Sequence, residues 1–133
     1  MATIIRKEGL KENKTYEPPL VIGFGINNKT VEVPKMVMGH TVLPPGRRNR
    51  RHYHVNCNVG VYRIKGRARL LLGPGHEQEE FEVGPGDFVF IPAGEIHAAM
   101  NLSDKESTEV VFCYVGVNSI EEANTIFVEL PLE

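Results

Sequence analysis

At 133 residues and a net charge of −2, the chain fits one domain covering 1–133, has no long polar linker to divide it, and lacks the broad basic face of a nucleic-acid binder. Its longest apolar runs, 88–91 and 110–115, are too short to cross a bilayer, so neither a membrane nor a nucleic acid is expected as partner. The N-terminus lacks a basic segment followed by an apolar one and a small-residue cleavage site, which makes cytoplasmic residence the expectation.

In chain order, residues 1–30 are mixed, with 16–19 extended and 21–26 apolar. They read as an edge strand or as an arm packed on a partner subunit. From there on, short runs rich in Val, Ile, Phe and Leu alternate with Gly and Pro clusters, the pattern of many short antiparallel strands. The strands predicted are 30–33, 35–43, 52–56, 60–65, 68–72, 79–83, 87–91, 97–101, 109–117 and 125–130. Turn signals separate them: Pro44-Pro45-Gly46, Gly73-Pro74-Gly75, Gly84-Pro85-Gly86 and Pro92-Ala93-Gly94, where Pro presets φ and Gly accepts positive φ. One short helix is predicted over 118–123, capped by Asn118 or Ser119. So many strands in one open sheet would leave long edges, which favours a sandwich or a barrel. Met36, Met38 and Val42 are read as core filling. Cys57 and Cys113 form no Cys-x-x-Cys pair and read as reduced side chains, a disulfide between them being the alternative.

The chemistry is concentrated in the histidines. Side chains alternate along a strand, so His52 and His54 project to one side with Cα atoms roughly 6.7 Å apart, close enough for two imidazoles to reach one ion. Tyr53 between them points the other way. His97 starts a later strand after the Pro92-Ala93-Gly94 turn, and closure of a barrel would bring it across to that pair.

The residues around these histidines resemble the two motifs of the cupin superfamily. The first reads Gly46, five residues, His52-Tyr53-His54, four residues, Val59 where the family carries Glu, six residues, Gly66; the second reads Gly86, five residues, Pro92-Ala93-Gly94, two residues, His97, three residues, Asn101. The resemblance spans 46–101 and implies an all-β, double-stranded β-helix or jelly-roll barrel with a divalent metal held by His52, His54 and His97. It also implies a small-molecule substrate and a homodimer formed through the N-terminal segment and an exposed sheet face. Val59 cannot coordinate. Asn58 has the wrong parity to replace the Glu, and Cys57, with the right parity, lies nearer the loop.

Three neutral ligands leave an ion its full charge and several open positions. That suits an Fe(II)-dependent dioxygenase acting on an anionic or oxygen-rich metabolite, with Zn, Ni, Co, Cu or Mn as other candidate metals. A zinc site would instead favour a lyase, isomerase or cyclase. A metal-free barrel that binds a small molecule without turnover is the third reading. Arg63 shares the inward parity of Val59 and is a candidate clamp for a substrate carboxylate or phosphate, against the plainer role of pairing with an internal acid. Arg50 could guide anions at the mouth, whereas Arg47, Arg48 and Arg51 read as a solvated loop. Glu95 is a candidate acceptor for an imidazole N–H. His76 reads as a surface turn residue, and His40 as core or pocket.

Overall fold

The computed structural model describes residues 2–132. Within the described residues eleven strands form two antiparallel sheets, and there is no α-helix. One sheet has six strands: β1 (Glu12–Asn13), β2 (Val21–Ile26), β3 (Met36–Leu43), β10 (Thr108–Val115), β5 (Asn58–Lys65) and β8 (Phe88–Ile91), neighbours in that order. The other has β11 (Thr125–Phe127), β4 (His52–His54), β9 (His97–Asn101), β6 (Ala68–Leu72) and β7 (Glu79–Val83). This is the jelly-roll arrangement that the motifs imply. The inner faces meet around Ile22, Val37, Val59, Ile91, Phe112 and Tyr114.

The alternation along β3 and β5 decides what faces inward. On β3 the buried set is Val37, Thr41 and Leu43, with Gly39 between them because a Cβ there would lie 2.9 Å from the Phe112 ring and 2.5 Å from the Gly23 carbonyl. Met36, Met38 and Val42 therefore take the outer face, with Met38 38% exposed. This corrects their reading as core. His40 is on the same outer face and pairs with Glu109 at 2.9 Å. On β5 Val59 and Arg63 are buried and Tyr62 and Ile64 exposed, the parity that the sequence indicates.

Two predicted elements are absent. Residues 30–33 form bends, because Thr30 Oγ1 accepts the Asn27 N–H and donates to the Gly25 carbonyl, closing a local turn that competes with strand pairing. Positive φ at Val33 and Lys35 then re-aims the chain into β3. Residues 118–123 make only bends and a turn. Ser119 Oγ does accept the Glu122 N–H at 3.2 Å, but Asn124 at φ 51 ends the segment, and the carbonyls of Ala123 and Asn124 are taken by the N–H groups of Asn56 and Val55. The N-terminal apolar run does form a strand, β2, but it pairs with β3 of its own sheet.

Two turns hold the histidine strands in register. Gly94, at φ 86, donates its N–H to the His54 carbonyl at 2.9 Å, and the next residue but two is His97. Asn101 donates through Nδ2 to the carbonyls of Leu43, Pro44 and Glu106, so the last residue of the second motif anchors the loops that flank it.

Candidate metal centre

His52 and His97 face each other directly across β4 and β9, and His54 lies two residues along β4 on the same face. One ring nitrogen from each of the three lies within 4.8 Å of the others, with ring centroids 4.2 to 5.3 Å apart. His52 and His54 are buried, and His97 is half-buried. Nδ1 of His52 donates to the Arg50 carbonyl at 2.7 Å, and Nδ1 of His97 donates to the Glu95 carbonyl at 2.9 Å. Because a carbonyl only accepts, the ring proton of each is on Nδ1 and the lone pair on Nε2 faces the pocket. His54 Nδ1 meets Thr125 Oγ1 at 2.8 Å, and that hydroxyl in turn meets the Tyr16 hydroxyl. Glu95 thus serves an imidazole, but through its backbone carbonyl.

Burial pushes the pKa of His52 down to about 4, of His54 to about 3 and of His97 to about 4, and mutual repulsion lowers His54 and His97 further. All three are neutral at pH 7 and present lone pairs, the donor set that a divalent first-row ion requires.

The six-stranded sheet supplies the opposite wall. Val59 is 4% exposed and lines the pocket with Ile91, Phe112 and Tyr114. Neither neighbour of Val59 replaces the missing carboxylate: Asn58 is exposed and its Oδ1 accepts the Ala93 N–H, and Cys57 is packed in the core with its thiol pushed up to about 11 by burial. Cys57 and Cys113 are both free thiols.

A carboxyl group does reach the centre, from a residue that the sequence reading passed over. Glu17, between β1 and β2, is 4% exposed and places Oε1 3.1 Å from His52 Nε2. Asn49 Nδ2 donates to the same oxygen, and Asn49 Oδ1 accepts the Ala99 N–H at 2.8 Å, which fixes the amide. Burial raises the Glu17 pKa to about 7, with the Asn49 hydrogen bond opposing. One signal for it was present: Glu17 is the single charged residue in 15–28. Asn49 and Thr125 had no such mark.

Arg63 is 5% exposed, lines the same pocket, and has no hydrogen-bond partner for Nη1 among the described residues. Burial lowers its pKa and the Asp87 charge opposes that shift, yet Asp87 Oδ2 is occupied by the Gly84 N–H at 2.7 Å. Among the described residues no ion pair with an internal acid, the plainer role, is formed. Arg63 lies four residues along β5 from Val59, roughly 13 Å of strand, so its backbone sits towards the other end of β5 from Val59. Arg50 does not line this pocket: its guanidinium stacks 3.8 Å over Phe127, whose ring is 5.5 Å from His52. Arg48 and Arg51 are not a solvated loop. Both bind Glu129, at 2.9 and 3.2 Å, pulling its pKa to about 2, Arg48 most strongly. His76 is exposed, as expected.

The two-sheet topology agrees with the comparisons to known proteins. The chain matches the model of the cupin domain over residues 39–114. Among solved structures it is similar to the polyketide cyclase RemF from Streptomyces resistomycificus, at 19% identity and TM-score 0.76, covering 98% of this chain and 87% of that one. It is also similar to oxalate decarboxylase from Bacillus subtilis (18%, TM-score 0.76, 96% of this chain) and from Lactobacillus farciminis (18%, TM-score 0.74, 91% of this chain). In those two it spans about a third of the larger chain, 33% and 34%. No curated protein is matched. The family match covers more than half of the sequence, and the chain belongs to the cupin family.

Proposed function

We propose that this chain is a small metal-dependent enzyme whose substrate is a largely apolar molecule with an anionic group at one end and a metal-binding oxygen at the other. One observation carries this reading: three neutral imidazoles and a buried guanidinium without a partner for Nη1 open into a single pocket. His52, His54 and His97 would hold the ion through Nε2, and their donor set fits a divalent first-row metal. Fe(II) there would supply oxygen chemistry, and Zn(II) would supply Lewis acidity.

The chain's own residues have separable tasks. Arg63 binds and orients the anion, because a guanidinium offers two parallel N–H donors to a carboxylate or phosphate, and the low-dielectric surroundings strengthen the pairing. Leu20, Ile22, Leu70, Leu72 and Val110 line the intervening space and exclude water from the bound molecule. Arg50 acts from behind the site, its carbonyl holding the His52 ring and its guanidinium packing on Phe127.

Fe(II)-dependent dioxygenation is the reaction class that we place first, because the histidine set leaves an ion open positions at which a substrate oxygen and O₂ could bind together. The test is turnover of oxygen-rich apolar carboxylates by protein loaded with Fe(II) or with Zn(II), with and without air. Oxygen consumption that needs Fe(II) supports the dioxygenase. Anaerobic turnover with zinc would replace it with a lyase, isomerase or cyclase, and binding without turnover on either metal would make the chain a binding protein.

We also propose a homodimer. Tyr62, Ile64, Phe88 and Phe90 are 40 to 80% exposed, and Tyr62 and Phe88 pair directly across β5 and β8 on the outer face at the sheet edge. A second copy fits this uncharged patch because a two-fold axis sets the same surface against itself without like-charge repulsion. Light scattering should give twice the chain mass, and Phe88→Ser with Phe90→Ser should return it to one; a monomeric parent would exclude the dimer.

A further inference from the structure

We infer that the N-terminal segment completes the metal centre, with Glu17 as a fourth ligand, so that docking of the segment around residues 14–20 and binding of the ion are coupled. The inference rests on the three-histidine metal reading and adds a ligand from outside both motifs.

Proton accounting at His52 supports it. The Nδ1 proton is committed to the Arg50 carbonyl, so Nε2 offers only a lone pair, and it faces a carboxyl oxygen 3.1 Å away. Two acceptors at that distance repel unless a cation or a proton lies between them. Metal–nitrogen and metal–oxygen bonds of about 2.0 to 2.2 Å put neighbouring ligands of one ion roughly 3.0 to 3.4 Å apart, and the observed spacing falls within that range.

The surroundings of Glu17 would also suit a cation. Its carboxyl is buried and forms no ion pair with Lys or Arg among the described residues; Asn49 supplies a neutral donor and fixes its direction. With Val59 in place, the opposite wall carries no carboxylate, so one can enter only from another element, and the segment between β1 and β2 provides it. The same segment touches a second histidine at one remove, because the Tyr16 hydroxyl meets the Thr125 hydroxyl that holds His54. Glu17 contacts the cluster at His52 and is not one of the three residues whose ligand atoms all lie within 4.8 Å. Two ligands of one ion at about 2.0 to 2.2 Å lie no more than roughly 4.4 Å apart, so Glu17 must shift towards the three nitrogens to share the ion. Reciprocity then requires that the ion stabilise the docked segment as much as the segment stabilises the ion.

The test uses the full chain stripped of metal and reloaded with Zn(II). Affinity is measured by competition with a chromophoric chelator for the parent, Glu17→Gln, Glu17→Asp and His52→Ala, and amide exchange of residues 14–20 is followed with and without Zn(II). Glu17→Gln should weaken Zn(II) about 10- to 100-fold, Glu17→Asp should recover part of that loss, and Zn(II) should slow exchange in 14–20 of the parent but not of Glu17→Gln. Unchanged affinity in Glu17→Gln beside a loss in His52→Ala would overturn the Glu17 assignment and leave the three-histidine site standing. Exchange in the parent that ignores Zn(II) would overturn the coupling without recourse to any variant. A parent that binds no metal would remove both readings.

Discussion

The two ends of the pocket differ in how their polar groups are satisfied. At the histidine end each Nδ1 has a partner, two of them carbonyls, and the Glu17 carboxyl has the Asn49 amide. The carbonyl partners leave the Nε2 lone pairs of His52 and His97 facing inward. At the other end Arg63 is equally buried, yet Nη1 has no partner. A side chain that is expensive to bury without a partner persists where something outside the chain supplies one. On the proposed function the first end is a preorganised set of donors and the second a site for an anion, and the two should respond to substitution in opposite ways.

Removing a ligand from the first end should have the largest effect. His97→Ala should lose most of the bound metal, by at least about 100-fold in affinity if the ring is a direct ligand, measured by chelator competition. Metal content equal to that of the parent would dissolve the contrast between the ends.

The second end should behave in reverse. Arg63→Met keeps much of the volume and removes the unpaired donor, so the variant should be more stable by about 1 to 3 kcal/mol while losing affinity for anionic ligands. Urea unfolding beside inhibition by small carboxylates checks this. If Arg63→Met is instead destabilised and keeps its anion affinity, the guanidinium is structural.

Acid should act at the histidine end, and with two signs. In the metal-free protein His52, His54 and His97 titrate at about 4, 3 and 4, below the unfolded value near 6.5. Their contribution is therefore fully present above pH 6.5 and is lost as the pH falls towards 3 to 4, at up to about 1.4 kcal/mol per pH unit for each proton. Glu17 has the opposite sign: raised to about 7, it destabilises as the pH climbs from 4.5 through 7. With three groups against one, the melting temperature should drop between pH 6.5 and 4, and His97→Gln should shallow the slope. A melting temperature constant across that interval would contradict the neutral buried cluster.

The smallest effect is expected behind His54. Thr125→Val removes the oxygen that meets Nδ1 and keeps the side-chain shape, so metal affinity should fall about 10-fold with the fold intact by circular dichroism. No change would mean that packing against Tyr114, at 4.8 Å between ring centroids, is sufficient to orient the ring.

What could be read from the sequence follows the same division. His52, His54, His97 and the inward direction of Arg63 depend on local rules, strand alternation and a tight Pro-x-Gly turn, and the structure keeps each of them. The same alternation rule failed at β3 only because its starting parity was misjudged: the small Gly39 and polar Thr41 face inward, against the more apolar Met36 and Met38. Glu17, Asn49 and Thr125 meet at the centre through closure of the barrel and through contacts between residues as far apart as 16 and 125. No periodicity in the sequence records such contacts. The false helix at 118–123 arose because its capping residue does cap, but only a turn that Asn124 ends at once.

The central claim is that the three imidazoles hold an ion, and metal content tests it most directly. Protein purified from cells grown without added metal, and again after reloading with Fe(II) or Zn(II), would be assayed by elemental mass spectrometry beside His52→Ala and His54→Ala. The account predicts close to one divalent ion per chain, lost in both variants; a parent that stays empty after reloading, or variants that keep their metal, would contradict it.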